Sequence, residues 1–352
     1  MNLETIITNP GYYYNRLLQE IEFRTDLPCS RPSQIWLKLT ERCNCRCLMC
    51  DIWKKNRDAR GELSTKEWKK VLLGLRQWLG KRHIWFTGGE PFLRKDCIEL
   101  IQYGSSLGLS IGVITNGILL KPEQMSRLID SGLKEYHVSI DSMTAEIHDH
   151  LRGIQGAYKL AVRNVLALKK ALDDNEKPMK IVIKTIILRQ NLNEILPIVK
   201  WSENNRFNEI KFQPLESNLE GKEDPFWFKS STYWPKKKEI NKVVDVLEEL
   251  IKKQRSNSIT IHSSLLLEDI KEYFLDPLTF YKQVKAHDSS TNNQSKGCKR
   301  SHGLMEILSH GGLRTCRFMS PQGDIRTMTP KEFWRNRPRC WENPAELCFK
   351  NK

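Results

Sequence analysis

The chain alternates between short apolar runs and longer segments with helical periodicity. Six runs have the alternating or β-rich character of strands, at residues 34–40, 83–86, 110–115, 135–140, 180–188 and 209–213. Between them, apolar residues at three- and four-residue spacing predict helices at 65–79, 97–107, 122–131, 158–172 and 192–204. This order predicts parallel strands joined by right-handed helical crossovers. We therefore expect an α/β fold, a partial (β/α)6 barrel.

Distinctive polar motifs follow five of the six predicted strands. They are the cysteine run 43–50, Gly88-Gly89-Glu90-Pro91, Thr115-Asn116-Gly117, Ser139-Ile140-Asp141 and Gln213-Pro214. Each motif alone has an ordinary interpretation, such as a strand-to-helix turn or a helix cap. In parallel α/β folds, however, the chemistry gathers at the carboxyl ends of the strands. We therefore expect these motifs to form one site.

The pattern changes after Pro214. An aromatic, irregular stretch precedes an amphipathic helix predicted at 236–254, and a polar stretch at 286–296 has the composition of a linker or loop. The chain then ends in a segment with four cysteines. These changes predict four parts: an N-terminal extension at 1–33, the barrel core at 34–215, a connecting helical region and linker at 216–297, and a small cysteine-rich module at 298–352.

Composition narrows the class of protein. The 352 residues, 39% hydrophobic and 28% charged, are enough for a folded core. We find no apolar run long enough to span a membrane and no secretory signal, so we expect a cytoplasmic protein. The net charge of +15 favours an acidic partner, or is simply a solubilising surface.

Eight of the ten cysteines fall into two groups, near residues 43–50 and after residue 297. Thiols in a reducing compartment usually serve metal or redox chemistry. The C-x3-C-x2-C spacing of Cys43, Cys47 and Cys50 lets three thiolates bind one iron–sulfur cubane and leaves the fourth iron open. Cys45 is an extra thiol that could replace a neighbour. Zinc bound by all four is the main alternative, although structural zinc usually takes two separated pairs.

The run Leu39-Thr-Glu-Arg-Cys-Asn-Cys-Arg-Cys-Leu-Met-Cys50 resembles the cluster motif of the radical S-adenosylmethionine (SAM) enzymes. The resemblance continues in Phe86-Thr-Gly-Gly-Glu-Pro-Phe92, Ile114-Thr-Asn-Gly117, Val138-Ser-Ile-Asp141 and His148-Asp-His-Leu-Arg-Gly153. Two positions depart from the family pattern: the additional Cys45, and Met49 where an aromatic residue is more frequent. The order of the motifs makes the resemblance specific, and it covers almost the whole chain.

The resemblance implies a [4Fe-4S] cluster on Cys43, Cys47 and Cys50, whose open iron binds the amino and carboxylate groups of SAM. It also implies roles for the other motifs. Gly88, Gly89 and Glu90 would meet the ammonium of SAM, Ser139 and Asp141 the ribose, and Arg152 the carboxylate. The full set of residues expected to bind this cofactor is Gly88, Gly89, Glu90, Pro91, Asn116, Ser139, Asp141, Arg152, Gln213 and Pro214, the last two beside the adenine.

The C-terminal cysteines resemble the SPASM and twitch extensions of radical SAM enzymes, which bind auxiliary iron–sulfur clusters. The members are Cys298, Cys316, Cys340 and Cys348. The full SPASM set of seven cysteines is absent, so the sequence supports a single auxiliary cluster. Scattered structural cysteines in a basic tail remain the alternative.

The reaction implied by the resemblance is reductive cleavage of SAM to a 5′-deoxyadenosyl radical that abstracts hydrogen from a substrate. Most relatives with such extensions modify ribosomally made peptides, so we expect a peptide substrate, with an acidic leader that fits the basic chain and a separate leader-recognition protein. The reductant would be a flavodoxin or ferredoxin. A dehydrogenase or decarboxylase of a sugar or alcohol is the alternative, and a non-enzymatic zinc and RNA-binding protein is a remote one. We do not expect a membrane or nucleic-acid partner.

Overall fold

The computed structural model describes residues 10–25, 27–55, 58–216, 226–255, 260–263, 267–278, 303–316 and 319–337. In these residues a single ten-stranded sheet has the order β10-β9-β8-β1-β2-β3-β4-β5-β6-β7. The strands are β1 Gln34–Thr40, β2 His83–Gly88, β3 Ser110–Thr115, β4 Glu135–Ser139, β5 Lys180–Ile187, β6 Glu209–Pro214, β7 Thr260–Ser263, β8 Leu304–Ile307, β9 Gly312–Arg314 and β10 Gly323–Asp324.

The first seven strands are parallel and pair in chain order. The sheet does not close, since β7 and β10 form its two edges. The prediction of an α/β partial barrel is therefore confirmed. All six predicted strands are present, and β7 continues the same parallel series in the region predicted to be a connecting segment.

The C-terminal segment extends the opposite edge of the sheet. Strand β8 pairs in parallel with β1, and β9 and β10 follow as antiparallel neighbours. Strand β1 is therefore an interior strand with a partner on each side. The predicted boundary at residue 298 does not divide two separate sheets, because backbone hydrogen bonds join the C-terminal strands directly to the core.

The described helices are α1 Pro10–Thr25, α2 Ile52–Lys55, α3 Thr65–Leu79, α4 Cys97–Ser106, α5 Pro122–Asp130, α6 Ala145–Arg152, α7 Ala157–Asp174, α8 Ile195–Asn204, α9 Trp227–Ser230, α10 Ile240–Arg255, α11 Leu267–Leu275 and α12 Pro330–Asn336. Short 3-10 helices occur at Pro91–Leu93, Arg189–Asn191 and Lys237–Glu239. None of the helices in the described ranges is both long and apolar enough to cross a membrane.

Helix α3 shows how local sequence sets an element. Ser64 and Glu67 form a reciprocal capping box at its start, and Gly80 follows its last residue. Trp68 and Leu72 of its apolar stripe are fully buried, and the helix packs beside α4 and α12. Each such side chain contributes roughly 1.5–3 kcal/mol on burial. The crossover helices thus cover one face of the sheet.

The two faces of the strands differ in composition. In β1, Ile35, Leu37 and Leu39 are fully buried, whereas Trp36 and Lys38 between them are only partly buried. Parallel strands that pair in chain order through right-handed crossovers have all their crossover helices on one side of the sheet. The buried Ile35–Leu39 face is that side. The opposite face is the concave interior of the partial barrel, and it carries polar side chains.

The two ends of the described chain meet. Arg337, just after α12, donates from Nη2 to Glu22 Oε1 of α1 at 2.7 Å, and both side chains are buried. Trp334 Nε1 donates to the carbonyl of Ser30 at 2.9 Å. The N-terminal extension and the C-terminal module, predicted as separate parts, are therefore packed together.

Candidate functional site

The first cysteine group lies in the loop that leaves β1. Cys43 and Cys50 are partly buried and Cys47 is 9% exposed, whereas Cys45 is completely buried. Among these four thiols, Cys45 is therefore the least accessible to a bound group.

The cysteine loop is held against the end of α6 by backbone hydrogen bonds. The amide of Arg46 donates to the carbonyl of Arg152 at 2.9 Å, and that of Leu48 donates to Leu151 at 3.0 Å. Gly153 has a φ of +62°, and a Cβ there would lie 2.3 Å from the carbonyl oxygen of Arg46. Only glycine permits both this conformation and this contact.

The Gly88-Gly89 turn supports the cysteine loop from a second direction. The amide of Gly89 donates to the carbonyl of Thr40 at 2.7 Å, and that of Glu90 donates to Arg42 at 2.8 Å. A Cβ on Gly89 would lie 2.1 Å from the carbonyl oxygen of Arg42. The turn and the beginning of the cysteine loop are thus in direct backbone contact.

Glu90 lies inside the protein. Its carboxylate is fully buried and accepts from the Thr115 hydroxyl at 2.8 Å and from the amides of Asn116 and Phe92 at 2.8 and 3.1 Å. Burial raises the pKa of Glu90 to about 7, against the effect of these donors. Both carboxylate oxygens of Glu90 therefore accept from protein groups, and its contact with the ammonium of SAM stays a prediction.

Asn116 is also used to hold the loop. Its Nδ2 donates to Asn44 Oδ1 at 2.7 Å, and its Oδ1 accepts from the amide of Ile118 at 3.0 Å. Both ends of the amide, one of the groups expected to contact SAM, are therefore engaged with the protein. The motif after β3 fixes the middle of the cysteine loop.

A buried ion pair lies beside the loop. Arg152 Nη2 is 2.5 Å from Asp141 Oδ2, and Arg152 Nη1 is 3.8 Å from Cys47 Sγ. Asp141 Oδ1 accepts from the amide of Ile186 at 3.1 Å. The buried Nε of Arg152 has no hydrogen-bond partner. Asp141 Oδ2 is close to the guanidinium but has no hydrogen-bond partner among the described residues, and Arg152 keeps one free donor, so the contact of Asp141 with the ribose stays a prediction.

His148 supports this pair from α6. Its Nδ1 accepts from the amide of Asp141 at 3.2 Å, and the side chain is 1% exposed. Burial lowers the pKa of His148 to about 3, and the nearby Arg152 acts in the same direction. The imidazole is therefore neutral near pH 7.

The thiols of the loop differ in acidity. A hydrogen bond from Cys45 and the charge of Arg152 lower the pKa of Cys47 to about 6, and a hydrogen bond from Cys45 also lowers the pKa of Cys43. Hydrogen bonds to both neighbours raise the pKa of Cys45, and burial raises that of Cys50 to about 11. The thiolate is the form that ligates metal, and Cys45 is the poorest source of one.

The remaining expected residues lie at the same end of the sheet. Ser139 is the last residue of β4, and Gln213 and Pro214 end β6. Ser139 and Gln213 are partly buried and Pro214 is buried. Pro91 begins the 3-10 helix after β2. The structure therefore places every motif of the first site at the carboxyl end of the parallel strands.

Only one member of the second cysteine group lies within the described residues. Cys316 is partly buried in the loop after β9. Cys298, Cys340 and Cys348 fall outside the described residues, so the auxiliary cluster remains a prediction. In the part of the chain that the structure describes, no three His, Cys, Asp or Glu side chains are gathered as ligands of a single metal ion.

Several supporting residues were not singled out from the sequence. Glu62 accepts from Arg42 Nε at 3.2 Å and pairs with Arg94 at 3.4 Å, which ties the segment before α3 to the start of the cysteine loop. Lys184 and Lys211 project from β5 and β6 between apolar residues. A lysine inside a buried apolar run is a signal in the sequence that could have drawn attention to these two positions.

Sequence comparison assigns the core. Residues 37–202 match the family model of the radical SAM superfamily. The chain is 34% identical over 167 residues to an AdoMet-dependent heme synthase of Oleidesulfovibrio alaskensis, covering 47% of this chain and 41% of the relative. It is 33% identical over 171 residues to a PqqA peptide cyclase of Bradyrhizobium diazoefficiens, covering 49% and 43%. The matches span less than half the length of either relative.

Structural comparison supports the fold. Streptococcus suis SuiB bound to S-adenosylmethionine superposes with a TM-score of 0.67 at 15% identity, over 95% of this chain and 72% of SuiB. At this identity the likeness is evidence about the fold alone. Together with the family match and the order of the motifs around the cysteine loop, it leads to one conclusion: the chain contains a radical SAM domain at residues 37–202.

Proposed function

We propose that this protein is a radical SAM enzyme that binds a [4Fe-4S] cluster through Cys43, Cys47 and Cys50 and abstracts hydrogen from a peptide substrate. The observation that carries the proposal is the cysteine loop itself. It lies at the carboxyl edge of the sheet beside Arg152, with the fourth thiol, Cys45, completely buried.

The residues fit the two cofactors of the superfamily, the cluster and SAM. The partly buried Cys43 and Cys50 and the 9% exposed Cys47 suit the iron of a cubane, which takes each thiolate on a different iron. The unpartnered Nε of Arg152 suits a carboxylate oxygen of SAM. When bound, the cluster supplies the electron that divides SAM into methionine and a 5′-deoxyadenosyl radical.

The chain's own residues bind and orient. We assign Arg152 to the carboxylate of SAM and the backbone carbonyls of the Gly88-Gly89 turn to its ammonium, since the Glu90 carboxylate is turned inward. Ser139, Gln213 and Pro214 line the edge where the ribose and adenine would lie. Asp141 acts as a positioning residue, because it fixes Arg152 at 2.5 Å. Exclusion of water and fixed orientation are what a protein contributes to cofactor-borne chemistry.

A peptide is the substrate that the relatives support best. Matching proteins include PqqA peptide cyclases and the mycofactocin maturase MftC of Mycolicibacterium smegmatis, 30% identical over 180 residues. SuiB, a fold neighbour, has been crystallised with its precursor peptide. Heme synthases are equally similar in sequence, so a small-molecule substrate is the second candidate. We also propose an auxiliary cluster on Cys298, Cys316, Cys340 and Cys348, a flavodoxin-type or ferredoxin-type reductant, and a separate leader-recognition protein.

The ligand assignment is tested by anaerobic reconstitution of single cysteine variants, followed by iron and sulfide counting and by assay for 5′-deoxyadenosine. We expect C43A, C47A and C50A to lose the iron of the first cluster and to release no 5′-deoxyadenosine under strong reductant. Cys45→Ala should retain both properties. Cys29→Ser, at an exposed cysteine outside the loop, is the control. An intact first cluster in all three triad variants would refute the assignment.

The substrate class is tested separately. Turnover of 5′-deoxyadenosine should rise with a peptide and not with sugars, alcohols or a porphyrin. If only a metabolite raises it, the peptide assignment is wrong while the radical SAM assignment stands.

A further inference from the structure

Two lysines lie side by side on the concave face of the sheet, and neither forms an ion pair within the described residues. Lys184 of β5 and Lys211 of β6 are directly paired in the strand register, in the same row as Ser139 of β4. Both side chains are partly buried. Within the described residues, neither ammonium makes a hydrogen bond or an ion pair.

The carboxylates near this pair form no ion pair with either lysine, although the charges of Glu216 and Asp141 act on Lys184. Asp141 pairs with Arg152, and Glu216, which raises the pKa of Lys184 through its charge, forms no ion pair with it. The remaining contacts in the same region, at 2.9 and 3.0 Å, are Glu135–His137 and Glu209–Lys180. Two imidazoles, of His83 and His137, also lie near the pair, and neither can supply a negative charge. Burial lowers the pKa of both, and the charge of Lys211 acts in the same direction.

The lowered pKa of Lys184 shows that its charged form is unfavourable at this position. Burial, followed by the charge of Lys211, lowers the pKa of Lys184 to about 8. Two partly desolvated cations that no ion pair neutralises destabilise a fold. An anion between them would remove that cost, and a carboxylate has the charge and acceptor geometry to accept from both ammonium groups.

The position of the two lysines along their strands indicates which molecule would carry the anion. Lys184 and Lys211 lie one same-face step before Ile186 and Gln213, which corresponds to roughly 6.6 Å along the strands. Gln213 is at the edge assigned to SAM. The lysines therefore lie level with Ser139 and one step deeper in the concave interior than Gln213, on the side where the reacting substrate would be placed.

We infer that Lys184 and Lys211 bind a carboxylate of the substrate, an acidic side chain or the C-terminal carboxylate of the peptide. This inference rests on the proposed function, because it assumes that a substrate enters the concave face below SAM. It adds a recognition element that the cofactor motifs do not contain.

The test compares two blocked amino acids that differ only in charge, N-acetyl-L-glutamate methylamide and N-acetyl-L-glutamine methylamide. Their dissociation constants are measured by saturation-transfer NMR on the anaerobically reconstituted protein with SAM bound. We expect the acidic probe to bind at least about fivefold more tightly to the wild type. In K184M/K211M the preference should disappear, whereas Lys170→Met, at an exposed lysine on the outer helix α7, should keep it.

The dissociation constant of SAM and the iron content are measured on the same samples. Both should be unchanged in K184M/K211M, and the variant should be more stable to urea than the wild type because two unpaired cations are removed. K184R/K211R should retain the preference for the acidic probe. Absence of any preference in the wild type, or a preference that survives in K184M/K211M, would overturn the inference.

A loss of SAM affinity in K184M/K211M would assign the lysines to the carboxylate of SAM and would also overturn it. Since binding is measured without turnover, the result does not depend on whether peptides stimulate 5′-deoxyadenosine formation. Failure of this inference and failure of the peptide assignment are therefore distinguishable.

Discussion

The buried pair of Asp141 and Arg152 allows a quantitative prediction. Asp141 is fully buried and the Arg152 side chain is 10% exposed, so solvent screens their interaction very little. Asn at position 141 keeps an oxygen that can accept from the amide of Ile186 but loses the charge opposite the guanidinium. Removing one partner of a buried pair typically costs 3–5 kcal/mol. Because the substitution preserves shape, we expect about 3 kcal/mol for D141N, roughly a hundredfold in the folding equilibrium.

Urea unfolding followed by tryptophan fluorescence, on protein kept without cluster and without oxygen, measures this quantity. The double variant D141N/R152M removes both charges and should be more stable than D141N alone, since no unpaired guanidinium remains buried. Asp174→Asn, which breaks the exposed pair of Lys170 and Asp174 on α7, is the matched control and should be close to the wild type.

A free energy of unfolding for D141N within about 0.5 kcal/mol of the wild type would refute the reasoning, because ordinary surface substitutions fall in that range. So would a double variant less stable than D141N, since the destabilisation would then not originate in an uncompensated charge.

Three further outcomes follow from contacts of the site and its frame. Gly89→Ala should cost about 1–3 kcal/mol by overpacking and reduce iron uptake, whereas Gly74→Ala in α3, with open space around its Cβ, should be neutral or stabilising in the same urea assay. His148 has a folded pKa of about 3 against an ordinary 6.5, so the unfolded state binds the extra proton; stability should fall as pH drops from 6.5 towards 3, and less so in H148Q. Breaking the buried pair of Glu22 and Arg337 with E22Q should lower stability by about 3 kcal/mol in urea melts, and an unchanged midpoint would contradict it.

The periodicity of apolar residues predicted most strands and helices of this fold, because the formation of such elements follows local rules. The strand at 34–40 and the strand at 110–115 have the bounds expected from their apolar patterns. Parallel order followed from the alternation of strands and helices, and it placed the motifs at one edge. The short strands β7 to β10 were missed, since four or fewer residues carry too little pattern and gain their pairing only from distant chain.

The position of the site side chains at the strand ends was more predictable than their orientation. A motif shows that Glu90 and Asp141 are present at strand ends, but not which way a carboxylate turns. That direction depends on donors contributed by other elements, such as the amide of Asn116 after β3 for Glu90 and the guanidinium of Arg152 in α6 for Asp141. Such contacts between residues far apart in the sequence are outside the reach of local patterns.

The pairing of β8 with β1 has a consequence for how the molecule can be dissected. The strand that leads into Cys43 receives neighbours from both directions, one of them some 270 residues later in the chain. A truncation that removes β8 would leave β1 as an edge strand, open to hydrogen exchange with solvent and to aggregation. Amide protection measured along β1 would therefore report whether β8 is in place.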